Sequence, residues 1–252
     1  MTLPLDGYSS TPREQYAWQV ATQDQWRACM ARYGFKNFGP PEPSLEVAVG
    51  AADSGMGRRY GLSDLEAAKK RGYHLPETPE PSRWEPAKGA EEAVFTGTGP
   101  EVAGGTYKGK KISDGGCRGE VKRQLPMPQT PIVAEAESRA FLAAKDDASV
   151  KEKIAQWSGC MKKRGFDIKS PIDDVAPLGI DIKSKTPSAR EIELAVADVE
   201  CKGETQLVDF WYKNEESKQK QEISKGTAAL ARERDSKNSV VNKAAQTYGA
   251  QG

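Results

Sequence analysis

From Thr11 to Gly34 the positions Trp18, Thr22, Trp26, Cys29 and Tyr33 recur three or four residues apart, the spacing of one helix face. The start of this helix is written out as Thr11 at the N-cap, Pro12 at the first helical position and Glu14 to complete a capping box. Its end is as well marked. Gly34 stands just past the last turn, where a left-handed residue is needed, and Phe35 beyond it is placed to touch Met30 in a Schellman closure.

The same ending returns 131 residues later. Trp26-Arg-Ala-Cys-Met-Ala-Arg-Tyr-Gly-Phe35 becomes Trp157-Ser-Gly-Cys-Met-Lys-Lys-Arg-Gly-Phe166, with Trp, Cys, Met, Gly and Phe unchanged. Each Trp and Cys are three apart and share a helix face, so Trp26 and Trp157 are expected to be buried beside a cross-linked cysteine. The motif is architectural, and it divides the chain into two related units.

The rest of the pattern fills in the units. Ser63-Asp-Leu-Glu66 predicts a short capped helix that Gly72 stops, whereas Pro76 to Pro100, rich in Pro, Glu and Gly, predicts an extended loop carrying Trp84. Tyr107 to Ile112 predicts a short hairpin before Gly115-Gly116-Cys117. After the prolines at 126, 128 and 131 an alanine-rich helix is expected from about Val133 to Lys145, broken near Asp146-Asp147 and resumed to Gly165. A further helix runs through Ile192, Val196 and Val199 to Cys201. From Glu204 to about Tyr248 the spacing predicts one long charged helix, bent at Gly226, with an uneven stripe of Leu207, Phe210, Trp211, Ile223, Leu230, Val240, Val241, Ala244 and Tyr248. That stripe is too sparse for a coiled coil. The fold class expected is therefore mainly α: two related helical units with long irregular loops, at most a small β-hairpin and a long C-terminal helix. In linear terms the divisions fall at 1–126, 127–203 and 204–252.

Composition narrows the possible functions. With 37 basic and 36 acidic residues the net charge is +1, and no basic stripe with interleaved aromatics is present, so nucleic acid is not an expected partner. The longest strictly apolar run is about five residues, Ala140 to Ala144, far short of a membrane span. Met1-Thr-Leu-Pro-Leu lacks the charged start and apolar stretch of a signal peptide, which suits a cytosolic chain or a mature exported one equally.

Cysteines bear on that choice. Cys29, Cys117, Cys160 and Cys201 are even in number, contain no close pair and have only His74 for company, which makes a zinc site a poor reading. The repeat suggests one bridge per half, Cys29–Cys117 and Cys160–Cys201; two other pairings and four free thiols remain open. Bridges imply an oxidising compartment.

Pro4-Leu5-Asp6-x-Tyr8, the two W-x-x-C-M-x-x-x-G-F segments, Tyr60-Gly61-Leu62, Gly109-Lys-Lys-Ile112 and Gly115-Gly-Cys-Arg-Gly-Glu120 together resemble a group of uncharacterised, exported actinobacterial proteins. The likeness runs from Pro4 to about Leu230. Many of that group look like lipoproteins whose signal peptide precedes the Pro-Leu-Asp-x-Tyr stretch. It implies an extracytoplasmic place, secreted or at the outer face of the cell membrane, a lipid anchor in the precursor and paired cysteines. It implies no activity.

Motifs of chemistry are weak. His74 is the sole histidine available as a triad base, and no G-x-S-x-G elbow exists. Gly104-Gly-Thr-Tyr-Lys-Gly109-Lys110-Lys111 has phosphate-loop spacing, but Lys111 stands where the Ser or Thr belongs, and a tight turn explains it. The pairs Glu91-Glu92, Asp146-Asp147, Asp173-Asp174 and Glu215-Glu216 read as solvated surface. No cofactor or metal site is expected.

The sequence thus predicts an extracytoplasmic, cell-surface-associated, non-enzymatic binding protein for a protein, peptide or envelope component. The alternative is a carboxylate-dependent enzyme acting on envelope glycans. Trp84, and whichever of Trp211 and Tyr212 faces outward, are the expected contact residues. Two facing, perturbed carboxylates in a cleft would favour the enzyme; an aromatic surface without them favours the binding protein.

Overall fold

The computed structural model describes residues 1–47, 57–76, 84–172 and 175–249, which leaves the expected Asp173-Asp174 pair outside the described residues. In chain order the elements are α1 (Pro12–Arg32), α2 (Leu65–Arg71), α3 (Ala90–Thr96), β1 (Thr106–Tyr107), β2 (Lys110–Lys111) and α4 (Gly116–Gln124). Then come α5 (Pro131–Lys145), α6 (Ala148–Lys163), α7 (Ala189–Thr205) and α8 (Leu207–Gly249). The chain is mainly helical, with one small antiparallel hairpin and a long C-terminal helix.

Two compact units form, each from separated segments. The Cys160 unit gathers Met1–Gly7, Gly50–Thr78 and Pro131–Leu230; the Cys29 unit gathers Tyr8–Val49, Pro79–Thr130 and Ala231–Gly252. Both cross the linear divisions at residues 126 and 203, because α8 contributes to one unit up to Leu230 and to the other from Ala231.

Each unit is built around one disulfide-bridged helix pair. In the Cys29 unit α1 packs on α4 and the Cys29–Cys117 disulfide joins them; in the Cys160 unit α6 packs on α7, joined by Cys160–Cys201. The two bridges share a Cα–Cα distance of 5.7 Å. Both helix ends close as the motif predicts. Phe35 N–H donates to the Met30 carbonyl and Gly34 N–H to that of Ala31, while Phe166 and Gly165 donate to Met161 and Lys162. Gly34 (φ 100°) and Gly165 (φ 89°) take the left-handed backbone that this closure requires.

A second short repeat emerges from the pairing. Asp114-Gly-Gly-Cys117-Arg-Gly-Glu120 matches Asp198-Val-Glu-Cys201-Lys-Gly-Glu204. In both units the glutamate three residues past the bridged cysteine takes an ion pair from an arginine at the end of the facing helix, Arg32 to Glu120 and Arg164 to Glu204. The unit of repetition is therefore a helix pair, not a single helix.

Several details differ from the sequence expectation. The helix at 65–71 is capped by Asp64, whose carboxylate accepts from Ala67 N–H, because the Ser63 hydroxyl donates to the Gly57 carbonyl instead. Part of the Pro76–Pro100 stretch is helical: α3 forms between Gly89 and Gly97, since Ala93, Val94 and Phe95 are consecutive buried residues that helical geometry sets in the core. The phosphate-loop mimic is a hairpin turned by Lys108 (φ 48°) and Gly109 (φ 75°), a two-residue connection of the positive-φ kind. The close approach of α3 to α4 explains another glycine. A Cβ on Gly116 (φ +64°) would sit 2.4 Å from Gly97 N and from Val94 O.

Candidate binding cleft

A cleft of about 820 Å³ opens in the Cys29 unit, within the range of small-ligand sites. One wall is a face of α1. Helical spacing sets Trp18, Thr22 and Trp26 in one row and Gln15, Gln19 and Gln23 in the next, each member four residues from the last. Opposite stand Trp84 and Phe95, with Arg118 of α4 at the edge. Phe95 holds the aromatic wall together: Trp26 meets it edge-on at 5.3 Å between ring centroids, Trp84 at 6.1 Å, and the Arg118 guanidinium lies over its ring at 6.0 Å. Phe38 backs the group, edge-on to Trp84 at 5.1 Å.

The polar atoms of this wall are not all spent. Trp18 Nε1–H donates to the Pro126 carbonyl at 3.0 Å. By contrast, Trp26 Nε1 and Thr22 Oγ1 are buried and have no hydrogen-bond partner among the described residues. Thr22 is only 6% exposed. A buried polar atom left this way is destabilising by about 1–3 kcal/mol, so such atoms in a native fold call for an explanation.

The sister unit shows what the same positions look like when they are only structural. Trp157 is fully buried, and its Nε1–H donates to Asp198 Oδ1 at 3.0 Å. Lys202, the counterpart of Arg118, is buried as well; its Nζ donates to Asp198 Oδ2 at 2.9 Å and to the Leu62 carbonyl at 2.7 Å. Tyr73 OH adds a third donor to Asp198 at 3.2 Å. Burial pushes the Asp198 carboxyl up and the Lys202 ammonium down from their usual ranges, while their mutual attraction opposes both changes. Four groups therefore satisfy one another there. In the Cys29 unit the matching acid, Asp114, precedes the first residue of α4 and is exposed, so it does not serve Trp26 in this way. Tryptophan and cation are thus left facing a cleft.

Of the residues singled out by sequence, Trp84 lines the cleft. Trp211 does not: it is 0% exposed in the core of the Cys160 unit, stacked 5.7 Å from Phe141 and packed against Tyr60. Tyr212 is half-buried, and its hydroxyl donates to the Thr2 carbonyl at 2.6 Å. Trp26 is the opposite correction. It is half-buried rather than buried, because α1 turns it toward the cleft.

His74 sits in a triad-like group in the Cys160 unit without triad chemistry. Its Nδ1 is 2.8 Å from Glu191 Oε1, and its Nε2 is 2.8 Å from the Ser184 carbonyl, so both ring nitrogens face acceptors. Two acceptors against the ring favour its protonated form. Burial works against that charge, but the Glu191 hydrogen bond, the Ser184 carbonyl and the Glu191 charge keep its pKa above the ordinary value. With both ring nitrogens turned to other acceptors, the ring offers no free lone pair to the Ser184 hydroxyl, which lies 2.7 and 2.9 Å from the Asp181 and Thr186 carbonyls. Because the folded-state pKa lies above the unfolded one, the stabilisation is fully present below about pH 6.5 and is lost as pH rises through the folded value. The melting-temperature gap between wild type and His74→Gln is accordingly expected to narrow from pH 5.5 to pH 9. A gap that widens over that range would refute the raised pKa.

Among the described residues no group of three or more His, Cys, Asp or Glu side chains could hold a metal ion, and no helix is long and apolar enough to cross a membrane. The fold and cleft define a class of protein: mainly helical, built of two disulfide-closed units, with an aromatic cleft in one of them. Comparison of the chain with family models, curated proteins and solved structures finds no match.

Proposed function

We propose that the protein is an extracytoplasmic, non-enzymatic binding protein of the cell surface, and that the cleft of the Cys29 unit is where it binds. The observation that carries this reading is the contrast between the matching tryptophans, Trp26 and Trp157; Trp211 Nε1, in the core of the Cys160 unit, is likewise without a partner among the described residues. Trp26 and Thr22 line the cleft and hold buried polar atoms with no partner among the described residues, whereas the Nε1–H of the matching Trp157 donates to Asp198. Two disulfides fit an oxidising compartment outside the cytoplasm. Secretion, or a lipid anchor at the outer face of the membrane, accords with the resemblance to exported actinobacterial proteins.

The enzyme alternative lacks support from the lining. Among the described residues that line the cleft, Glu85 is the sole carboxylate, while glycoside hydrolysis by the common route needs two. The test is co-sedimentation with insoluble envelope material from the cells that express the protein. Wild type is expected in the pellet, and Trp84→Ala is expected to reduce its retention at least tenfold. Equal retention of the two proteins would remove the cleft from the function.

A further inference from the structure

Two rows of side chains on α1 say what kind of molecule the cleft takes. One row, Trp18–Thr22–Trp26, presents indole surface over a buried hydroxyl; the other, Gln15–Gln19–Gln23, carries amides, of which Gln15 and Gln19 are exposed, while Gln23 is buried and accepts from Arg27 at 3.5 Å. Amides and hydroxyls both donate and accept hydrogen bonds, so together they match a ligand whose own groups do both. Charge adds little, because the lining carries one cation, Arg118, and one carboxylate, Glu85. That balance disfavours phosphates, nucleic acids and strongly charged peptides. Aromatic faces suit a ligand with flat apolar C–H surfaces. Trp26 Nε1 asks for an acceptor, and Thr22 Oγ1 can take either role.

Resting on the binding reading above, we infer that the cleft accommodates a neutral saccharide, its ring faces against the tryptophans, its hydroxyls on the exposed Gln15 and Gln19 amides and, once the wall gives to uncover them, on Thr22 Oγ1 and Trp26 Nε1. A proline-rich peptide is the nearest competitor, since aromatic grooves also take polyproline helices. Such a ligand presents carbonyl acceptors almost alone and leaves the accepting half of the amide row unused. A polyhydroxylated ligand uses both halves.

The test follows the indole N–H signals of the five tryptophans in ¹⁵N-labelled protein, assigned with single Trp→Phe variants. The probes are neutral trisaccharides of glucose, N-acetylglucosamine, galactose and arabinose, with decaproline as the competing probe. At least one trisaccharide is expected to move the Trp26 and Trp84 signals and to leave those of Trp157 and Trp211 in place. Thr22→Val, which keeps shape and removes the hydroxyl, is expected to weaken that binding about tenfold. If decaproline moves these signals and no saccharide does, the ligand class is wrong and the cleft reading stands. If no probe moves them while Trp84→Ala still loses envelope retention, the saccharide inference again falls alone. Silence here together with full envelope retention by Trp84→Ala overturns both. A Thr22→Val protein that binds saccharide as tightly as wild type overturns the proposed contacts.

Discussion

Lys202→Met is expected to destabilise the Cys160 unit by about 3–5 kcal/mol, the loss typical when one partner of a buried ion pair is removed. Asp198 is then left at 1% exposure with Trp157 and Tyr73 as donors but no cation. The double change Lys202→Met with Asp198→Asn is expected to recover most of that loss. Asn keeps an acceptor for Trp157 Nε1–H and brings no charge to neutralise. Urea melts of the wild type, the single and the double variant measure both differences. A single variant within about 1 kcal/mol of wild type, well below the usual loss, would mean that the pair is not buried and compensated as described.

The bridges are of comparable size. In the loop-entropy account, removing Cys29–Cys117, whose partners are 88 positions apart in sequence, is expected to lower stability by about 4.6 kcal/mol. The 41-residue separation of Cys160–Cys201 gives about 3.9 kcal/mol. Paired Cys→Ser variants test each in turn, since a single replacement would leave a reactive thiol. The wild-type protein, denatured without reductant, is expected to titrate no free cysteine. Four titratable thiols would return the chain to a reducing compartment.

Much of this fold was legible because local chemistry and tertiary packing agree. Helix α1 begins at its capping box, with Thr11 N–H donating to Glu14 Oε2 at 2.7 Å, and ends at its Gly-Phe closure. The bend at Gly226 is real, with φ −116° and ψ 17° inside α8. What the pattern hid was buried polarity. On α8 the buried row runs Leu207, Trp211, Glu215, Gln219 and later Lys237, Val241 and Ala244, so the apolar stripe read as sparse. Each polar member has its partner: Glu215 takes Arg59 and the Tyr60 hydroxyl, Gln219 takes Leu5 N–H, and Lys237 reaches Glu14. Hydrophobic periodicity cannot register a face completed by residues far away in sequence.

The site was half legible for a related reason. Trp84 stood out as an aromatic in polar company, and it lines the cleft. Trp211 stood out in the same way but closes a core whose other walls, Tyr60 and Phe141, come from distant segments. Trp26 was masked by its own motif, since a residue repeated at Trp157 invites the same structural role for both. The short Asp-x-x-Cys-[Arg/Lys]-Gly-Glu repeat was the available signal. It pairs Arg118 with Lys202 and, through them, Trp26 with Trp157. Only the placement of Asp114 ahead of α4 shows that the two copies part ways.

The central claim is that one copy of the helix pair is closed on itself and the other is open to a ligand. Hydroxyl-radical footprinting, read by mass spectrometry at each tryptophan, tests it most directly. In the free protein Trp26 and Trp84 are expected to be oxidised, while Trp157 and Trp211, at 1% and 0% exposure, stay intact. With envelope material bound, oxidation of Trp26 and Trp84 is expected to drop severalfold. Oxidation of those two that is the same with and without bound envelope material, or of Trp157 as fast as Trp26, would contradict the account.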